Sequence, residues 1–346
     1  MKNKMILESS DRLVECVPNI SEGRDSAIIN SVADAVKNTP GVKLLYVDSN
    51  KDANRTVFTF TGSPDSVLEG AFNLTRISTS LIDMREQNGV HVRNGAVDVC
   101  PFIPVNNVTM DECVKIAHRF AQMAGDKLGI PSYLYGNAAN IKQRRKLSFL
   151  RRGGYEALQN KLNSELWAPD YGPDVFNDVV AKSGTIQVGA RFFMVAYNIQ
   201  LKTDSINDAK QIARKIRTSG FKKNKTPGMF KELMADGWYM DSYNCAQVTM
   251  NLTDYRVTGL HHVYEAVKKE ARAKGFDVNG SELIGLIPLD AIVDAGRYYL
   301  KHNFKGELSS QIEDEKLIDI AVDNLGLSAI EPFKREKRIF EFLLGD

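Results

Sequence analysis

Residues 88 to 102 read Asn-Gly-Val-His-Val-Arg-Asn-Gly-Ala-Val-Asp-Val-Cys-Pro-Phe. If residues 90–93 are extended, alternation sends Val90 and Val92 one way and His91 and Arg93 the other. A titratable imidazole and a fixed cation then share one face. The chemistry on offer is general acid–base catalysis near neutral pH, for which histidine is the side chain best placed. On period alone, a half-exposed strand with an incidental histidine explains the pattern equally well. Asn88-Gly89 and Asn94-Gly95 predict tight turns with positive φ on either side. Ala96 to Val99 predicts an apolar strand ended by Pro101 and Pro104.

Other residues with chemical potential are weaker candidates. His118 lies mid-helix among core-like residues, His261 and His262 open a helix, and His302 sits in a polar segment. The four cysteines (Cys16, Cys100, Cys113, Cys245) form no C-x-x-C, so neither a zinc nor a redox motif is supported. Buried reduced thiols in a cytoplasmic protein fit them best. The 346 residues are 43% hydrophobic and 25% charged, enough for a sizeable core and about two domains. A formal net charge of +2 implies no nucleic-acid partner. No apolar run is long enough to span a bilayer, and residues 1–12 read as a polar leader without a signal-peptide core.

The elements that must position His91 follow from periodicity and punctuation. Leu13 to Pro18 predicts a strand. Asp25 caps a helix over 27–38, stopped by Pro40-Gly41. Val42 to Val47 is a strand ending at Asp48, and Arg55 to Thr61 alternates strictly. Ser63 and Pro64 open a helix to Ile82. Thr109 opens another over 110–128, and Ser132 to Tyr135 is a short aromatic strand. Tyr155 to Leu162 is helical. The second half, taken from Gly184, predicts a strand over 191–201, a helix over 206–217, strands over 233–239 and 245–252, a helix over 259–274, a strand over 282–286 and a helix over 288–300. Two short helical stretches around Pro332 follow. Both halves suit an open mixed sheet with helices on one face, an α/β (α+β) class. The duplication is read from element order alone.

With His91 placed, several stretches together resemble the glutamate formimidoyltransferase family, which includes the transferase part of formimidoyltransferase-cyclodeaminase. They are residues 15–23 (Glu-Cys-Val-Pro-Asn-Ile-Ser-Glu-Gly), 54–60, 98–105 (Asp-Val-Cys-Pro-Phe-Ile-Pro-Val), 133–136, 167–173 (Trp-Ala-Pro-Asp-Tyr-Gly-Pro), 246–248 and 283–288. The resemblance runs from about residue 13 to the end. It implies transfer of a formimidoyl group between N-formimidoyl-L-glutamate and tetrahydrofolate, in histidine breakdown. Two ferredoxin-like α/β-sandwich subdomains, 13–183 and 184–346, a folate tunnel between them and a homodimer are also implied. So is a stand-alone transferase, the chain ending too early for a cyclodeaminase domain.

The resemblance also assigns roles. His91 is implied as the acid/base, moving a proton from the attacking amine to the leaving one, with no metal required. Asp48 matches an acidic family position that could orient and stabilise the imidazolium, although a plain strand-end residue is nearly as good an account. Arg55, Arg93 and Arg191 are candidates for glutamate carboxylates. Tyr171, Gly172, Pro173, Phe176 and Gly184 are candidates for the pterin wall, or else an ordinary loop plugged into the core. Gln247 and Asn251, four apart on one strand, share a face and could line the tunnel. Lys222, Lys223 and Lys225 read as a solvated basic loop that could also attract polyglutamate tails. The family loop resembles Gly-Glu-His-Pro-Arg-Met-Gly-Ala, and here Val90, Val92 and Asn94 replace Glu, Pro and Met. Losing that carboxylate predicts a His91 pKa lower than in the usual family member, with Val90 and Val92 packed on apolar surface. A formyl transferase with another acceptor and a non-catalytic folate-binding paralogue stay open as alternatives.

Overall fold

In a computed structural model, residues 11–221, 226–303 and 312–345 are described. The basic stretch at Lys222, Lys223 and Lys225, and the polar leader apart from Asp11 and Arg12, lie outside them. The described chain divides into two compact units, one ending at Phe192 and one beginning at Phe193. The expected boundary at 183/184 would remove the strand Ile186–Ala190 from a sheet in which it pairs on both sides.

The first unit contains, in chain order, β1 (Leu13–Cys16), β2 (Asn19–Ile20), α1 (Ser26–Lys37), β3 (Val42–Asn50), β4 (Arg55–Gly62), α2 (Pro64–Leu81), β5 (Val97–Asn106), α3 (Met110–Leu128) and β6 (Ser132–Gly136). Short helices α4 (Leu147–Leu150), α5 (Leu158–Leu162) and α6 (Asp178–Ser183) lead to β7 (Ile186–Ala190). Local chemistry sets the helix starts. The Asp25 side chain accepts from the N–H groups of Ala27 and Ile28, Ser63 caps α2 with Pro64 at its first position, and Thr109 and Glu112 form a capping box. Gly129, at φ 67°, ends α3 in the left-handed conformation.

β1 and β2 act as one interrupted central strand, antiparallel to β4 on one side and β5 on the other. β3 extends the β4 edge, while β7 and then β6 add in parallel beyond β5. Helices α1 to α3 cover one face, where Val14, Phe58, Phe60, Cys100 and Phe102 meet Val32, Leu74 and Phe120. β5 runs through both prolines expected to end it. Pro101 still offers its carbonyl to the Val17 N–H at 3.3 Å, and Pro104 sits where the β1 register slips, so neither missing N–H breaks the ladder.

The second unit has β8 (Val195–Leu201), α7 (Ile206–Ile216), β9 (Leu233–Met240), β10 (Cys245–Leu252), α8 (Leu260–Ala273), β11 (Val278–Ile284), α9 (Leu289–Asn303), α10 (Asp314–Leu325), α11 (Arg335–Arg338) and α12 (Phe340–Leu344). The strand expected over 191–201 begins only at Val195. The one expected over 282–286 begins earlier, because Val278 already pairs with Leu201. Among the described residues, three helices rather than two follow α9. The sheet order is β11-β8-β10-β9, antiparallel throughout, which corrects the expectation of a mixed sheet in this half. In both units the first strand lies between the third and fourth, and the second is an edge beside the third. The first sheet is mixed only through β6 and β7. Tyr197, Ile199, Val248 and Met250 pack under Ile212, Val263, Ile292 and Ile318. No helix among the described residues is long and apolar enough to cross a membrane.

Candidate active site

On the face of the first sheet opposite α1 to α3, β4 presents Arg55. Its Nε donates to Asn19 Oδ1 at 2.9 Å and its Nη1 to Asp98 Oδ2 at 2.8 Å. Asp98, on β5, is wholly buried. Its Oδ2 also accepts from Arg151 Nη2, and its Oδ1 accepts from the Asn94 N–H at 2.9 Å. A buried carboxylate therefore sits between two guanidiniums, and their charge holds it well below the usual carboxylate range despite burial. Burial in turn lowers Arg55 to about 10, against the favourable charge of Asp98.

His91 stands beside this triad in a segment, 83–96, without regular secondary structure. Its Nδ1–H donates to the Val92 carbonyl at 2.6 Å, an assignment forced because a carbonyl only accepts, and this leaves Nε2 as the basic nitrogen. The field of Arg55, then burial, then Arg151 lower its pKa from 6.5 to about 3, while Asp98 opposes them. Two nearby cations, together with burial, account for this lowering. Val90 and Val92 are 67% and 50% exposed, whereas His91 and Arg93 are half-buried. The alternation expected across 90–93 persists, but the valines face solvent instead of an apolar surface.

The segment is stapled from several directions. The Val90 N–H donates to the Asp52 backbone carbonyl at 3.2 Å, Asn54 Nδ2 to the Asn88 carbonyl at 2.9 Å, and Arg24 Nη1 to Asn88 Oδ1 at 3.1 Å. Neither Asn-Gly pair adopts the positive φ expected of it. The glycines serve close approach instead. A Cβ on Gly89 would lie 2.4 Å from the Ala53 carbonyl oxygen, and one on Gly95 2.4 Å from that of Thr185. Gly184, at φ 66°, bridges Gly95, and a Cβ there would lie 2.2 Å from the Asn94 oxygen. It thus shapes the His91 segment. A cleft of about 290 Å³ opens over His91, lined by Val90, Val92, Arg93, Arg151, Gly154 and Glu156 among others.

The other candidates fall in different places. Arg93 Nε donates to the Gln87 carbonyl at 2.8 Å and its Nη2 pairs with Glu156 at 2.9 Å, so it borders the cleft already engaged. Arg191 follows β7, its Nη1 donating to the Phe192 carbonyl at 2.9 Å. Asp48 lies opposite Val57 on β3, on the same sheet face as Arg55, and Asp98 is a carboxylate whose charge acts on His91. Tyr171 is not brought to His91. Its hydroxyl is hydrogen-bonded to His118 Nδ1 on α3 at 2.9 Å and its ring packs on the helix-side core. Gly172, at φ 84°, passes 2.7 Å from where a Gly125 Cβ would be, and Pro173 and Phe176 are half-buried beyond it. The 167–173 motif is anchored by Asp170, which pairs with Arg144 at 2.8 Å, and by Trp167 stacked on Phe149. On β10 of the second unit, Gln247 and Asn251 do share the face opposite Val248 and Met250. Gln247 donates to Glu282 at 3.0 Å and accepts from Trp238 at 2.9 Å.

Sequence reasoning missed Asp98 and Arg151. A lone carboxylate inside the apolar run 96–100 was the available signal, because a buried charge needs a partner. No group of three or more potential metal-ligating side chains occurs among the described residues.

Residues 13–191 match the model of the formiminotransferase domain, N-terminal subdomain, and residues 196–345 that of the formiminotransferase domain. The chain is 47% identical over 335 residues to a formimidoyltransferase-cyclodeaminase of Sus scrofa, covering 97% of this chain and 60% of that protein. It is 40% identical over 290 residues to a glutamate formimidoyltransferase of Streptococcus pyogenes serotype M1, covering 84% of this chain and 94% of that protein. A second glutamate formimidoyltransferase, of Thermoplasma acidophilum, is 38% identical, covering 84% and 93%. The chain thus spans 60% of the length of its Sus scrofa relative and nearly all of the two microbial ones. Both halves of its sequence match, and it belongs to the formiminotransferase family.

Proposed function

We propose that this chain transfers a formimidoyl group between N-formimidoyl-L-glutamate and tetrahydrofolate, with His91 as general acid/base. The observation that carries the reading is the orientation of His91: Nδ1–H is committed to a carbonyl, and Nε2 is the basic nitrogen of a half-buried ring lining a cleft. In the transfer, an amine attacks the amidine carbon and a tetrahedral intermediate forms. The other amine then leaves. Nε2 takes the proton of the attacking nitrogen and returns it to the leaving one, so charge and protons balance without a metal. The exposed Val90 and Val92 offer apolar walls for a flat pterin.

The names of the microbial relatives support the substrates, and folate enters as co-substrate. Ferredoxin-like topology for each unit is supported by the shared placement of the first strand between the third and fourth. A homodimer and a folate tunnel rest on the family resemblance. A cytoplasmic location is supported by four free buried cysteines. The deciding measurement is steady-state turnover of N-formimidoyl-L-glutamate with tetrahydrofolate. Turnover that His91→Ala leaves within a few-fold would remove His91 from the role. Folate binding without turnover in the unaltered protein would favour the binding paralogue instead.

A further inference from the structure

Of the arginines near the cleft, most are spoken for. Arg55 is buried between Asn19 and Asp98, and Arg93 is shared by Gln87 and Glu156. Arg151 differs. Its Nη2 holds Asp98, its buried Nε–H has no hydrogen-bond partner among the described residues, and it lines the same cleft as His91. Its backbone is fixed. The preceding carbonyl, of Leu150, accepts from Asn94 Nδ2 at 3.2 Å and from Lys161 Nζ at 2.8 Å. Lys161 is itself buried, with its ammonium over the Trp167 ring, and burial lowers its pKa to about 8. The structure thus spends a buried lysine and a buried asparagine on one peptide next to Arg151.

The strongest charges acting on His91 are Arg55 from β4, Arg151 from the segment after α4 and Asp98 from β5, with Arg93 and the exposed Glu156 at the cleft rim and Asp48 on β3 on the same sheet face as Arg55. The inner three leave one positive charge in excess. We propose that Arg151 is a specificity-determining residue that receives a carboxylate of the amino-acid substrate beside His91. Its planar fork suits a carboxylate, and a buried unpaired N–H is stabilised by acquiring an acceptor. The incoming anion also cancels part of the field that opposes imidazolium, so the base strengthens when substrate arrives. The inference rests on the proposed transferase reading for the substrate's identity.

The test uses the full chain, Arg151→Gln and Arg151→Lys, with two readouts. In turnover, Arg151→Gln raises KM for N-formimidoyl-L-glutamate by about tenfold or more, with kcat falling less. Arg151→Lys, which keeps the charge without the fork, falls between. In NMR titration of the His91 ring, added L-glutamate raises the imidazole pKa in the unaltered protein and not in Arg151→Gln. A KM within about twofold of the original, or an equal response of His91 to glutamate in both proteins, overturns the proposal. If Arg151→Gln does not give a folded spectrum, Arg151→Lys is judged by the same two criteria. Absence of turnover in the unaltered protein defeats the transferase reading, while the glutamate titration still decides Arg151.

Discussion

Two histidines, one in each unit, are kept neutral for different reasons. His91 is lowered to about 3 first by the charge of Arg55, then by burial, then by Arg151. His261, on α8, is lowered to about 4 first by burial, with His262 and His302 adding to it. His261 is 3% exposed, its Nδ1 has no hydrogen-bond partner among the described residues, and it stacks on Tyr298 with centroids 4.3 Å apart. A histidine suppressed by desolvation is a fixed core residue. A histidine suppressed by neighbouring cations answers to whatever anion enters. The second arrangement is the one an enzyme can use, which separates a site from a core more sharply than the size of either shift.

The largest expected contrast is in turnover. His91→Ala removes the proton carrier and lowers kcat by about 10²- to 10⁴-fold with folate affinity nearly kept. His261→Phe keeps the stack on Tyr298 and leaves kcat within a few-fold. Equal losses in the two variants would abolish the distinction between them.

The cationic pair that sets His91 apart depends on Asp98. Replacing it by Asn keeps the shape but leaves two guanidiniums facing each other without a counter-charge. The expected cost is about 3–5 kcal/mol in chemical denaturation of the chain. A loss below about 1 kcal/mol would mean that water or rearrangement already compensates Arg55 and Arg151. Asp98→Asn also removes a buried charge that favours imidazolium, so the His91 pKa moves further down.

Stability against pH tests the other member of the pair. The unfolded chain binds a proton on His261 below about 6.5, and the folded chain only below about 4. Across that window the unfolded state holds more protons, so this residue's contribution is complete above about 6.5 and is lost as pH falls toward 4. His261→Phe flattens that part of the profile, measured as Tm against pH. An unchanged slope would place the acid sensitivity elsewhere, with His91 as the next group to replace.

How far these sites could be read in advance depends on the range of the interactions. The capping box at Thr109 and the Ser63-Pro64 start are set within four residues, and both are legible in the sequence. So is the shared face of Gln247 and Asn251, since alternation along a strand is local. Pro101 and Pro104 mislead because their tolerance depends on where β1 slips register, a tertiary fact. The Asn-Gly pairs mislead in the same way, their glycines answering to Ala53 and Thr185 from distant segments rather than to a turn. Asp98 and Arg151 are 53 positions apart, so the lone carboxylate in its apolar run signals the need for a partner without naming Arg151. Tyr171 is a pterin-wall candidate through resemblance, and the packing of its loop on α3 is again non-local.

The smallest expected effect bears on Val90, one of the three residues that differ from the loop of the resemblance. Val90→Glu returns a carboxylate next to His91, and a nearby negative charge favours imidazolium. The His91 pKa therefore rises, and the acidic limb of the activity profile moves to higher pH, since protonated His91 cannot act as base. The magnitude is limited by position. Val90 is 67% exposed, so solvent screens a charge placed there, whereas Asp98 acts from full burial. The shift is a fraction of a unit at low ionic strength and shrinks as salt rises through about 0.15 M, where the screening length is about 8 Å. The same salt series leaves the contribution of the buried Arg55 almost unchanged. The measurement is the pH dependence of kcat/KM for both proteins at two salt concentrations. A limb that moves fully and ignores salt would place the new carboxylate in direct contact with the imidazole, and a limb that does not move would show that residue 90 lies outside its field.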